Sequence, residues 1–185
     1  MTFEEVLAWD AATDWSSAEV APGAESDLLA ALQGLWCARS EEEAVAAYWC
    51  LDNVVVVQGS VYGGAVLVVG PAVRMAVLGS VWTRRWALEL VLQVVAGWSV
   101  GAAVGDRSLV EQSRAQVRCS IDLVYVLLSD PISDVRELAA EVLACCEVDP
   151  QRFDERLAWA AGCEAVEVTR VHLDRVRSAG LRAEE

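Results

Sequence analysis

Residues 129–143 read Ser129-Asp130-Pro131-Ile132-Ser133-Asp134-Val135-Arg136-Glu137-Leu138-Ala139-Ala140-Glu141-Val142-Leu143. Their helical part has an earlier counterpart, Thr83-Arg84-Arg85-Trp86-Ala87-Leu88-Glu89-Leu90-Val91. Arg84, Ala87 and Glu89 fall at the same steps as Arg136, Ala139 and Glu141, with mostly apolar residues between them. A helix that recurs in this way belongs to a stack in which each unit covers the apolar face of its neighbour. The expected class is therefore all-α, a solenoid of stacked helical hairpins, and the usual work of such a surface is to bind another macromolecule.

Working outward, helix starts and stops recur along the chain. Thr2 with Glu5 and Ser40 with Glu43 have the spacing of capping boxes, and Ser26 or Asp27 opens a helix through Leu28, Leu32 and Leu35. The helix begun at Ser40 is expected to run through Val54-Val55-Val56-Val57 to Gly59. Four valines suit a strand by propensity, but the period upstream is helical and no partner strand is evident. Further helices are expected at 61–78 with a kink at Pro71, at 81–98, at 107–128 and at 133–147. Two more are expected, from Asp149-Pro150 to Gly162 and from Val166 to Gly180, and no strand anywhere. One domain spans 1–185, with an acidic helix and loop at 1–25 and repeats at 26–180.

Composition narrows the functions. Hydrophobic residues make up 55% of the 185, so disorder is excluded and a large core is available. The net charge is −14, which repels nucleic acid and favours encounter with a basic partner. No lysine occurs, and no basic residue precedes Arg39 in a stretch that holds seven acids from Glu4 to Asp27. Residues 53–73 carry no charge, and a bilayer span takes about 20 apolar residues. Asn53, Gln58, Ser60 and the glycines there argue instead for a buried hairpin.

The six cysteines show no Cys-x-x-Cys, and His172 is the only histidine, so no zinc set, catalytic triad or cofactor loop can be assembled. Vicinal Cys145-Cys146 reads as a pair of small buried side chains. Met-Thr-Phe-Glu-Glu is acidic where a signal peptide needs positive charge, which points to a reduced cytoplasm.

The 129–143 unit resembles the HEAT repeat on Asp130, Pro131, Val135, Arg136, Ala139 and Ala140. The earlier copy departs from that pattern, with Gly79 at the place of Pro131 and Thr83 at that of Val135. The resemblance implies a right-handed α-α superhelix. The two copies stand further apart than one ordinary repeat of about 40–47 residues, so 99–106 is read as an insertion. Residues 47–59, together with Trp82-Thr83-Arg84-Arg85-Trp86-Ala87-Leu88-Glu89, look like small bacterial HEAT-type immunity proteins of polymorphic toxin systems. That resemblance implies binding and occlusion of a cognate toxin domain, with no catalysis and no cofactor. A non-catalytic scaffold or accessory subunit is the alternative.

Candidate partner-binding residues are polar side chains set in apolar helices, together with hot-spot residue types. They are Asp52, Asn53, Gln58, Trp82, Arg85, Glu89, Asp122 and Tyr125. Leu51-Asp52 aligns with Ile121-Asp122. The functional expectation is that these residues line one concave face against a basic protein; the plain one is that they bridge neighbouring helices by hydrogen bonds.

Overall fold

The computed structural model describes residues 2–7, 14–15, 18–23, 27–99 and 108–182. Of these, 77% are helical and 3% extended, so the all-α expectation stands. The helices are α1 (Phe3–Leu7), α2 (Leu28–Cys37), α3 (Glu41–Val55), α4 (Gly64–Leu78) and α5 (Val81–Ala96). They continue with α6 (Leu109–Cys119), α7 (Ile121–Leu127), α8 (Ser133–Cys146), α9 (Pro150–Cys163) and α10 (Glu167–Arg182).

Side-chain caps set the helix starts. Asp27 accepts from the Leu29 and Ala30 amides, Ser40 from Glu43, Ser80 from Thr83, Ser108 from Glu111 and Asp149 from Arg152. Each satisfies a donor that a helix leaves without a partner, at about 1 kcal/mol per cap. Thr2 and Glu5 exchange the two bonds of a capping box. Ser133 does not cap α8; Asp130 takes the turn's amide, accepting from Ile132 N at 2.9 Å.

Consecutive helices pair as α2 with α3, α4 with α5, α6 and α7 with α8, and α9 with α10. The second helix of each pair packs on the next: α3 on α5, α5 on α8, α8 on α10. One apolar cluster runs through all of them, from Phe3 to Val176. Leu88, Leu90, Leu143, Leu157 and Leu173 are fully buried, and each such side chain contributes about 1.5–3 kcal/mol.

The uncharged run at 53–73 is accounted for by burial. Helix α4 packs against α1, α2, α3, α5, α6 and α7, and nearly every residue from Gly64 to Ala76 is enclosed. It stays helical through the buried Pro71. Arg74 lies inside it and donates to Val6 O at 2.8 Å, which ties α1 to the core. No helix among the described residues is long and apolar enough to cross a membrane.

Two expectations of continuous helix fail. Helix α3 stops at Val55, and Val56–Val57 (β1) turns back through Gln58 and Gly59 to pair antiparallel with Ser60–Val61 (β2). Gln58 at φ 51° and Gly59 at φ 82° have the left-handed backbone of a two-residue hairpin turn. Trp98–Ser99 (β3) then adds in parallel to β2. Val56 and Val57 thus follow their β propensity once the Gln58-Gly59 turn brings Ser60–Val61 alongside, and β3 extends the ladder from the other edge of β2. In place of the single helix expected at 107–128, residues 108–128 hold two, because Ser120 leaves helical geometry at φ −124°, ψ 20°. Most of the suspected insertion at 99–106, and Trp9 and Ser26, lie outside the described residues.

The repeated arginines knit the stack. Arg84 donates to Asp130 Oδ2 at 2.8 Å and to Gly79 O at 3.0 Å. One hairpin later, Arg136 grips Glu164 with two bonds of 2.6 and 2.9 Å and donates to Asp130 O at 2.7 Å. In both cases an arginine on the second helix reaches the carboxylate in the following turn.

Candidate functional site

Helices α5 and α8 turn the same register positions outward. Trp82, Arg85, Trp86 and Glu89 follow the i, i+3, i+4, i+7 spacing of one helix face, as do Asp134, Glu137, Leu138 and Glu141. These rows line three adjoining recesses. The first, about 150 Å³, lies between Glu41, Val81, Trp82, Arg85, Trp86, Ile132 and Asp134. The second, about 190 Å³, is bounded by Arg85, Glu89, Asp134, Glu137, Leu138, Glu141 and His172. The third, about 390 Å³, opens among Tyr48, Trp49, Asp52, Arg85, Trp86, Glu89 and Gln93.

The face combines aromatic area with negative charge. Tyr48 meets Trp49 edge-on with ring centres 5.1 Å apart, and Trp86 lies 5.0 Å from Tyr48 on its other side. Trp49 is 49% exposed and Trp82 36%, so both offer apolar area to a partner. Around them stand Glu41, Asp52, Glu89, Asp134, Glu137 and Glu141. Arg85 sits at the centre, 3.3 Å from Glu41 and 3.4 Å from Asp134, with its guanidinium 5.0 Å from the Trp86 ring centre. These ion pairs are exposed and add little stability.

Burial and the Glu89 charge raise the Asp52 carboxyl above its ordinary range, against a bond donated by Tyr48 Oη at 3.1 Å. Burial and the same carboxylate push the Tyr48 phenol up. At the α10 end, Arg175 donates to His172 Nδ1 at 3.0 Å, and His172 Nε2 lies 3.1 Å from Glu141. Arg can only donate, so Nδ1 accepts and the ring proton belongs on Nε2, which makes no hydrogen bond to Glu141 despite the short separation. Thr169 donates to Glu137 at 2.7 Å.

The structure divides the eight candidate residues. Asp52, Trp82, Arg85 and Glu89 share this face. Asn53 is exposed on α3 but lines none of the three recesses, and Gln58 sits in the hairpin turn rather than on a helix. Asp122 and Tyr125 lie elsewhere, between α7 and α9. Tyr125 donates to Glu147 at 2.7 Å and lies under the guanidinium groups of Arg152 and Arg156 at 5.2 and 5.8 Å. Arg152 in turn bonds Glu147 and Asp122 at 2.7 and 3.3 Å. That cluster is a helix-to-helix tie, so the alignment of Asp52 with Asp122 has no spatial counterpart.

Tyr48, Trp49, Asp134, Glu137 and Glu141 join the face without having been singled out as candidates. The signal for most of them is the repeat itself, since carrying Trp82, Arg85 and Glu89 forward by one copy gives Asp134, Glu137 and Glu141. All six thiols are free; burial pushes Cys146 up to about 12 and also raises Cys145. Among the described residues no group of His, Cys, Asp and Glu could hold a metal ion. Comparison with protein families, curated proteins and solved structures finds no match to this chain.

Proposed function

We propose that this chain is a HEAT-like solenoid, a right-handed α-α superhelix over 26–180, that acts by stoichiometric protein binding. Its partner is a basic toxin domain, and the chain is the immunity protein that covers that domain's active site in the cytoplasm. The observation that carries this reading is the continuous α3–α5–α8–α10 face, where exposed Trp49 and Trp82 stand among six carboxylates. Aromatic anchors set residence time, and acidic surroundings speed encounter with a cationic protein and reject nucleic acid.

Several features support the architecture. Each hairpin packs on the next through its second helix, and the Arg84–Asp130 and Arg136–Glu164 contacts recur from one hairpin to the next. Four exposed thiols, Cys37, Cys50, Cys119 and Cys163, suit a reducing compartment.

Co-expression with the product of the neighbouring gene tests the reading. A 1:1 complex that restores growth against that product's toxicity supports it. A complex without neutralisation assigns the chain to the scaffold alternative, and the absence of any complex removes the proposal.

A further inference from the structure

The largest of the three recesses holds two carboxylates that, among the described residues, pair with no cation. Asp52 accepts from Tyr48 Oη at 3.1 Å, and Glu89 accepts from Gln93 Nε2 at 2.9 Å; both donors are neutral. Among the described residues nothing donates to Asp52 Oδ2 or Glu89 Oε2. Arg85 borders the same recess, yet its guanidinium is directed to Glu41 and Asp134 and stacked on Trp86. Burial and the Glu89 charge both disfavour an ionised Asp52. Bringing two negative groups together in a half-buried site costs free energy unless a cation joins them.

The walls select the kind of cation. Tyr48, Trp49 and Trp86 surround the recess, and Trp49 is half exposed beside it. An aromatic face attracts a cation within about 6 Å, and a planar guanidinium can stack on a ring while its edge donates to carboxylates. An ammonium has three donors but no flat face to stack. The Arg85–Trp86 contact at 5.0 Å is an example of that packing next to the recess.

We infer that the recess formed by Tyr48, Trp49, Asp52, Trp86 and Glu89 receives a single arginine side chain of the partner protein. This rests on the reading of the α3–α5–α8–α10 face as the docking surface. The guanidinium lies against Trp49 and donates to the open oxygens of Asp52 and Glu89. Docking there replaces a repulsive pair of acids by a pair bridged through one cation, which makes this arginine a binding anchor rather than one more rim charge.

The test uses the full chain, labelled at its indole nitrogens, with three capped peptides: acetyl-Gly-Arg-Gly-amide, the isosteric citrulline peptide and the lysine peptide. The arginine peptide is expected to shift the Trp49 and Trp86 indole signals saturably, with Kd on the order of 1 mM for so small a ligand. The citrulline peptide should not shift them, the lysine peptide should bind several-fold more weakly, and Asp52→Asn with Glu89→Gln should weaken the arginine peptide at least tenfold. Trp49→Ala, a change at a half-exposed position, is the substitute if the double variant unfolds, and the same loss is expected. Equal binding of the citrulline or lysine peptide, or unchanged binding by the variants, overturns the inference. A chain that binds the arginine peptide but protects against no toxin keeps this inference and loses the proposed function. A toxin domain held equally well by D52N/E89Q does the reverse.

Discussion

Replacing Arg136 by methionine tests the contact that ties α8 to the turn between α9 and α10. The change keeps an unbranched apolar stem and removes the two bonds to Glu164 and the one to Asp130 O. The Glu164 side chain is only 3% exposed, so its carboxylate is left with little water. Breaking a buried pair from one side costs about 3–5 kcal/mol. Glu164 still accepts from Val166 N at 2.8 Å, which lowers the expected loss to about 2–3 kcal/mol. For a domain of this size that is a fall in Tm of about 5–10 °C.

The pH dependence has a definite sign. The Arg136 hydrogen bonds hold the Glu164 carboxyl below its ordinary 4.5, with the Val166 amide acting in the same direction. A depressed folded pKa gives stability that is full above the ordinary value and lost as pH falls through the lower folded one. The R136M penalty should therefore be greatest near neutrality and shrink in acid. Urea melts of wild type, R136M, E164Q and the double variant, followed by circular dichroism at about pH 7 and about pH 3, measure it. A penalty below about 1 kcal/mol at neutral pH, or one of equal size at both pH values, refutes the reasoning.

Other perturbations probe other parts. Thr83→Val removes the buried hydroxyl that donates to Leu35 O at 3.0 Å and should cost about 1–3 kcal/mol in the same melts. Asp52 has a raised folded pKa, so the charge on it lowers stability increasingly as pH rises from its ordinary 3.8 through the folded value. Asp52→Asn should therefore melt higher than wild type at neutral pH and lose that advantage in acid. Gly59→Ala puts a Cβ at φ +82° and into the Trp98 ring; thermal melts should show a loss of about 1–3 kcal/mol, with Trp98 fluorescence altered.

What the sequence made legible was the helical frame. The caps at Asp27, Ser40, Ser80 and Asp149 and the Arg84/Arg136 repeat follow from residue spacing alone. The β1–β2–β3 ladder was hidden because its strands are two residues long, β1 follows directly on a helical period, and β3 lies far along the chain from the β2 it pairs with. The break at Ser120 has no proline or glycine to announce it. The site was half legible. Polar residues in apolar helices marked Asp52 and Glu89, but the same cue selected Tyr125, whose hydroxyl serves Glu147, and Asp122, which serves Arg152. Spacing shows that a polar group needs a partner; only the packing of neighbouring helices shows whether the protein already supplies one.

The most direct measurement is the affinity of the purified chain for the product of the neighbouring gene, the proposed toxin, for wild type and for variants on two faces. Wild type should form a tight 1:1 complex whose association slows as salt rises. Glu89→Arg with Trp49→Ala, both on the α3–α5 surface, should weaken that complex at least 100-fold and abolish growth protection. Asp122→Asn, on the α7–α9 side, should leave both intact. Full protection by the E89R/W49A chain, or a complex lost only through Asp122→Asn, would contradict the account.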